Sequence, residues 1–577
     1  MNRMPWVRLL AVSPFFIVTT ASCRVFEWLS QLFREMGCSW RMRIMMRKKT
    51  LLVALLLMLF AVQSLVFIST KSATFDEVQY FGIGKYLLKE HRWDVMGAIL
   101  HPPLSYYLNS LPLLFVEEDK RLWQYGVKER NLDFLGSVDY YRGQELLSMP
   151  ENRGDRLLIA SRCMTLLTAL LLGLYVYRFG AEIFGERSAL LSLFLFAFCP
   201  NMLAYSGIAV PDMPVTAFSF ISVYYFWKVL CNDGNDWILT AGIFLGLALL
   251  SKFTAMVLLP VFFVLTAAYA YERKKNKFTA PAAVMGIGLL ILWAGYMFDL
   301  TPFLLGNQYR LEQQGYGQAT FAWGNYSNHG WWYFYPAALL LKTPLPLIML
   351  VVAAIVLMFR GKTCSRFDRL LLLLPPVAFL LFFSLSGYAV GIRYVLPVYP
   401  FLFVAAGSVA SCAGRSRILL ALAALWYLGS SLYVAPHYLA YFNEAAGGPA
   451  NGYKLLVDSN LDWGQDLKGL KRYMDKNGIE KVSLSYFGAD SPGRYGIKYD
   501  WLPSFYLFNN EPGKPPVIDP NQLVAISVTN LQGVYFDNHE QYKWLMKYRP
   551  IAKIGYSIFV YDLKGKREKS PVPGNRN

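Results

Sequence analysis

Long apolar runs separated by short polar connectors fill most of the chain. The first extends from Leu51 to about Ser69, and others follow at roughly 157–178, 188–206, 212–230, 237–250, 254–271, 280–298, 336–359, 370–388, 394–412 and 418–435. A bilayer core needs about 20 apolar residues of helix. The pattern therefore predicts an all-α polytopic membrane protein of about eleven or more transmembrane helices, occupying residues 47–435. Two polar stretches, 70–156 and 299–335, are long loops, and the first is long enough to be expected functional or disordered rather than idle. Beyond 436 the pattern changes. Lys481–Tyr486 and Leu523–Val528 read as strands and Asp466–Lys476 as a helix, so 436–577 is expected to be a small C-terminal α/β domain. Residues 1–46 stay ambiguous, because the apolar stretch Trp6–Thr20 is short and broken by Pro14. They read as an interfacial segment, a signal-like stretch or an over-long start with Met45 or Met46 as initiator.

Charge orients the spans. Basic residues occupy alternate connectors: Arg178 and Arg187, then Lys228, then Arg273, Lys274, Lys275 and Lys277, then Arg360 to Arg369, then Arg415 and Arg417. Cytoplasmic connectors are the ones enriched in Lys and Arg, and the cluster Arg41, Arg43, Arg47, Lys48 and Lys49 joins that set. The other face then receives both long loops, the Pro211–Pro214 turn, the Ser251–Phe253 break, the Gly387–Arg393 turn and the C-terminal domain. The expected setting is a bacterial inner membrane with these parts on the periplasmic side.

Composition narrows the function classes. With 55% hydrophobic and 16% charged residues, the 577-residue chain is too apolar for a string of soluble domains. Its formal charge of +18 lies mostly in the connectors, so no nucleic-acid partner is inferred. The seven cysteines show no CxxC spacing and none follows Cys412, which excludes a disulfide framework or a zinc pattern. No inverted internal repeat of the transporter kind stands out.

Rare ionisable residues at membrane depth collect on the outer side: Asp76, Glu77, His101, Asp212, Lys252, Lys342 and Arg393. Each is costly there unless it faces a polar cavity or a partner. Asp76 and Glu77 follow the first span directly and suit a base. Asp212, between two prolines, suits either a site or a helix cap. Lys252 and Arg393 run against the charge rule and suit a phosphate. Lys342 precedes Thr343-Pro344-Leu345-Pro346, so it either snorkels or lines an opening made by the prolines. His101, stiffened by Pro102 and Pro103, suits an anion or a reacting proton. Aromatic residues from Trp323 to Tyr335 suit an interfacial belt or a sugar face. Asp458, Asp462 and Asp466 read as a cation loop without EF-hand spacing, or as a cap.

In order along the chain, Asp76-Glu77, His101-Pro102-Pro103-Leu104, Leu250-Ser251-Lys252-Phe253-Thr254, Gly330 to Tyr335 with Lys342 to Pro346, and Arg393 to Pro400 resemble the polyprenyl-phosphate-dependent glycosyltransferases of the GT-C superfamily. The likeness is to the protein O-mannosyltransferases and bacterial aminoarabinose transferases. It implies a GT-C fold and transfer of a sugar, with inversion, from an undecaprenyl- or dolichyl-type phosphate to a lipid or protein acceptor. Asp76 would be the general base, supported by Glu77, with Asp212 orienting the acceptor or, with Asp76, holding a divalent metal. Lys252, Lys342 and Arg393 would hold the carrier phosphate, with His101, Tyr333 and Tyr394 also binding substrate. No cofactor is otherwise implied. His101 departs from the Lys that many relatives carry. The block Asp458–Asp466 also resembles one in bacterial members with an outer domain. The rival reading is a transporter or flippase of a lipid-linked glycan.

Overall fold

Each predicted apolar run is helical in the computed structural model, which describes residues 40–93, 96–115, 132–149, 152–232, 234, 236–412, 414–505 and 521–564. Most of the N-terminal extension, including Cys23 and Cys38, lies outside the described residues. The chain divides into two compact units, Met1–Leu55 and Leu56–Asn577. The described part of the first is helical from Trp40. The second holds all that follows.

Among the described residues, seven helices are long and apolar enough to cross a membrane: Lys49–Thr70, Gly154–Phe184, Asp212–Cys231, Phe253–Arg273, Arg366–Leu385, Ile392–Cys412 and Arg417–Val434. The chain is thus multi-pass. Of the about eleven helices expected, two are bent pairs, Glu186–Ala197 with Pro200–Ser206 at 62° and Phe334–Lys342 with Leu345–Phe359 at 112°, giving up to nine by length and composition. Ile238–Ser251 and Thr279–Gly295, at the remaining two positions, are shorter apolar helices.

Proline makes the breaks. It lacks the N–H that a helix interior needs and drives the preceding residue into extended backbone, as at Thr343 (φ −98°, ψ 131°) before Pro344. Carbonyls released at such a break need new donors inside a membrane protein. Asn443 Nδ2 donates to Leu340 O at 2.6 Å and to Thr343 O at 2.9 Å, and Asn201 Nδ2 donates to Lys342 O at 2.7 Å.

The 70–156 loop is largely helical where described, with Phe75–Tyr80, Ile83–Glu90, Met96–Leu100, Leu104–Ser110 and Leu132–Ser148. In the 299–335 loop, helix Thr301–Tyr316 precedes a small antiparallel hairpin, β1 (Thr320–Ala322) and β2 (Asn325–Ser327). After 436 come β3 (Val482–Ser485), β4 (Tyr499–Trp501), β5 (Leu523–Ser527), β6 (Ala552–Ile554) and β7 (Ile558–Tyr561). They form one sheet in the order β4-β3-β5-β7-β6, parallel around β3 and antiparallel around β7. Helix Leu467–Lys476 lays Leu467, Leu470 and Met474 on Val482, Leu484, Ala525 and Val560.

The block Asp458–Asp466 runs through the interior and ties three parts together. Ser72 and Phe75 donate backbone N–H bonds to Gln465 O (2.9 Å) and Trp463 O (2.8 Å). Ile392 N–H donates to Asn460 Oδ1 at 2.9 Å, and Thr529 N–H donates to Asp462 Oδ2 at 3.0 Å. Asp76 and Arg393 are the side chains this clamp holds in register.

Candidate active site

Asp76 and Glu77 are adjacent on helix Phe75–Tyr80, about 100° apart around its axis, and they point to different places. Asp76 reaches a cavity of about 270 Å³ together with Gln79, Tyr80, His101, Arg310, Arg393, Tyr394, Asp458, Trp463 and Tyr535. Glu77 turns inward to Arg162, buried two turns into helix Gly154–Phe184. Arg162 Nε and Nη2 donate to Glu77 Oε1 and Oε2 at 2.8 and 2.7 Å, and Ala209 N–H and Thr74 N–H each add a bond of 2.8 Å. Burial by itself would raise the Glu77 pKa. The Arg162 charge and these hydrogen bonds more than offset it and hold the carboxyl below the usual glutamate range.

On the Asp76 side, acids and cations alternate. Arg393 Nη1 donates to Asp76 Oδ2 at 2.6 Å and stands 3.9 Å from Asp212 Oδ2. Lys252 Nζ donates to Asp212 Oδ1 at 2.7 Å. Asp212 is the first residue of its helix and makes no cap bond, so the cap reading gives way to this ion pair. Asp212 Oδ2 and Arg393 Nε are buried without a hydrogen-bond partner among the described residues. Lys252 Nζ lies 4.1 Å from the Tyr394 ring centre, and Arg393 Cζ lies 4.3 Å from that of Trp463. These cation–π contacts hold the cations where they face the cavities.

A cation absent from the sequence candidates completes the site. Arg310, on helix Thr301–Tyr316, donates from Nε to Leu100 O at 2.9 Å and from Nη2 to His101 Nε2 at 3.1 Å. With Nε2 accepting, the ring proton belongs on Nδ1, which is buried without a partner among the described residues. Burial, then the Arg310, Lys252 and Arg393 charges, push the His101 pKa well below its ordinary value. His101 is therefore a neutral group that orients Arg310. The available signal for Arg310 was an arginine on the outer side, against the charge rule, as for Lys252. For Arg162 it was a guanidinium inside an apolar run.

Arg310, His101, Gln313, Tyr388 and Tyr394 also line a second cavity of about 240 Å³, which adds Lys252. Phe253, Thr254, Met256 and Phe382 pass from that cavity into an apolar groove that continues along Val257, Pro260, Val261, Val264, Leu374 and Ala378. The groove runs between helices Phe253–Arg273 and Arg366–Leu385.

Two further candidates lie away from these walls. Lys342 is fully buried, and its ammonium donates to the carbonyls of Leu439 (3.0 Å), Tyr441 (2.8 Å) and Asn460. That cage occupies all three of its donors. Tyr333 is 39% exposed beside Trp331 and the exposed Trp332 and lines none of the three cavities. The three acids of the 458–466 block separate onto Tyr535, Thr529 and Lys71. Among the described residues no three His, Cys, Asp or Glu gather as a metal cluster. Asp76 Oδ2 and Asp212 Oδ1 already take Arg393 and Lys252, which leaves Asp212 Oδ2 as a buried oxygen without a hydrogen bond among the described residues.

Residues 154–296 match the family model of dolichyl-phosphate-mannose-protein mannosyltransferases. No curated protein sequence matches the chain. Among solved structures, apo ArnT from Cupriavidus metallidurans aligns at 13% identity and a TM-score of 0.46, covering 89% of this chain and 97% of that one. The same protein bound to undecaprenyl phosphate gives 13% and 0.43, covering 90% and 99%. The oligosaccharyltransferase AglB from Archaeoglobus fulgidus, in complex with an inhibitory peptide and a dolichol-phosphate, gives 14% and 0.36, covering 66% and 54%.

Proposed function

We propose that this membrane glycosyltransferase takes a sugar from a polyprenyl phosphate and gives it to a lipid or protein acceptor on the extracytoplasmic face. The observation that carries the reading is adjacency. A cavity holding Asp76 shares His101, Arg310, Tyr388 and Tyr394 with one that adds Lys252, and that one shares Phe253, Thr254, Met256 and Phe382 with an apolar groove on the helix surface. A lipid phosphate has the same three parts in the same order. Its tail would lie against Val261, Val264, Leu374 and Ala378, and its phosphate between Lys252 and Arg310. Its sugar would reach toward Asp76. The match of 154–296 to a mannosyltransferase family and the ordered motifs support the same reading.

Asp76 takes the proton of the acceptor hydroxyl as that oxygen attacks the anomeric carbon from the face opposite the phosphate. The new C–O bond forms while the bond to the phosphate oxygen breaks, and the electron pair leaves on the carrier phosphate. The anomeric carbon inverts. Lys252, Arg310 and Arg393 stabilise the charge that grows on the leaving group, and they are already oriented before it appears. Lys252 and Arg393 are balanced by Asp212 and Asp76, so the empty site need not hold uncompensated cations.

Full-length protein in membranes, offered radiolabelled sugars on undecaprenyl and dolichyl phosphate, tests this. Wild type is expected to transfer label. Asp76→Asn should lose about 10²- to 10⁴-fold in rate, the contribution of a positioned general base, while remaining inserted. Normal transfer by the variant would move the base to Asp212. Carrier binding with no transfer by wild type would favour the flippase.

A further inference from the structure

Part of the Asp76 cavity wall that the proposed reaction leaves without a role comes from the chain after residue 436. Asp458, Trp463, Phe487 and Tyr535 all line it. Phe487 and Tyr535 stack with their ring planes 7° apart and centroids separated by 5.5 Å. Tyr535 donates its hydroxyl to Asp458 Oδ2 and accepts from Gln318 Nε2 at 3.2 Å. Asp458 itself sits at φ 57°, a left-handed conformation that Asp tolerates better than most residues. Thr529 Oγ1 accepts its backbone N–H at 3.1 Å and fixes it there. Asp458 and Tyr535 are both partly exposed, and both line the cavity.

This wall differs from the phosphate end. The rings of Phe487, Tyr535 and Trp463 are packed by Phe75, Phe505 and Arg393, so they offer the cavity apolar edges, and a fixed carboxylate offers acceptors to neighbouring hydroxyls. Asp76 and Asp458 share this cavity with Arg310 and Arg393, so its acids and cations are matched in number. A polyhydroxylated ring, with C–H faces and hydroxyl edges, satisfies both features, as apolar contact on the ring edges and charge-assisted hydrogen bonds.

Resting on the donor reading above, we propose that Asp458 and Tyr535, with Trp463 and Phe487, form a pyranose subsite that the C-terminal region contributes to the catalytic cavity. The ring is the donor's sugar or a ring of a glycosylated acceptor. Asp458 binds its hydroxyls and Tyr535 holds Asp458 in place.

The test uses full-length protein in lipid nanodiscs, with wild type, Asp458→Asn and Tyr535→Phe compared. Ligand-detected NMR measures binding of a panel of methyl pyranosides, and a separate titration measures binding of undecaprenyl phosphate, which carries no sugar. Wild type is expected to bind at least one pyranoside saturably. Asp458→Asn should weaken it about tenfold, as for the loss of one charge-assisted hydrogen bond, and Tyr535→Phe by less. Undecaprenyl phosphate affinity should stay within twofold in both. In transfer assays, a raised KM for the lipid-linked sugar alone assigns the ring to the donor, and a raised KM for the acceptor alone assigns it to the acceptor. The proposal is overturned if wild type binds no pyranoside, if both variants bind it like wild type, or if pyranoside and carrier affinities fall together. Saturable pyranoside binding lost in Asp458→Asn, in a protein that ignores undecaprenyl phosphate, would uphold the subsite and remove the lipid-donor reading.

Discussion

Asp76 and Glu77 share a sequence motif and divide its work. One faces the cavity and Arg393, and the other locks the loop to the first helices through Arg162, which also donates to the Ile68, Lys71 and Ser72 carbonyls. Glu77→Gln leaves that guanidinium buried without its counter-charge and is expected to cost about 3–5 kcal/mol, read as a lowered thermal midpoint in detergent. The pH dependence has a definite sign. A carboxyl whose pKa falls on folding contributes stability that is complete above its unfolded value, about 4.3 for Glu, and is lost as pH drops through the folded value. Wild type should therefore lose midpoint temperature below about pH 4.3, and Glu77→Gln should start lower and show less of that loss. The adjacent acids were legible in the sequence. Their divergence was not, because it depends on where Arg162 arrives from a helix more than eighty residues away. Lys342 teaches the same lesson: its isolation in an apolar run was visible, but the carbonyl cage around it forms only when Leu439, Tyr441 and Asn460 come alongside.

Helices and breaks were more readable than side-chain partners. The apolar runs gave the positions of the spans because bilayer and core demand the same residues, and Pro344 and Pro346 marked where one of them bends, whereas the bend before Pro200 falls inside a run read as continuous. What periodicity does not carry is which helix meets which loop. Arg310 reaches the site because helix Thr301–Tyr316 packs closely on the 96–101 segment. Gly306 permits that approach, since a Cβ there would stand 2.2 Å from the Ile99 carbonyl oxygen and 2.8 Å from the Phe253 ring. Gly306→Val should push Arg310 off Leu100 O and His101. The expected result is carrier affinity reduced about tenfold or more, the worth of one charge-assisted contact, with helix content unchanged by circular dichroism. Carrier binding equal to wild type would separate Arg310 from the phosphate.

At the scale of the molecule, the C-terminal segment is built into the membrane part rather than appended to it. Its strands and helix could be read from alternation and amphipathicity. Its union with the Asp76 loop could not, because residues 458–466 look polar in sequence and are almost entirely buried, most of their polar groups paired with partners such as Ser72, Phe75, Lys71, Ile392 and Thr529. Asn460 is the central tie, accepting from Ile392 N–H and donating to the Val390 and Val457 carbonyls at 3.2 and 3.1 Å. Asn460→Ala should loosen the turn that carries Arg393. Misplacement on the order of 1 Å can cost about 100-fold in rate, so kcat should fall strongly while the protein stays folded and inserted. The measurement that bears most directly on the account is a structure of the full-length protein with undecaprenyl phosphate bound. The account predicts the phosphate within hydrogen-bond reach of Lys252 and Arg310 and the first isoprene units in the groove between helices Phe253–Arg273 and Arg366–Leu385. A phosphate bound elsewhere, with that groove empty of lipid, would contradict it.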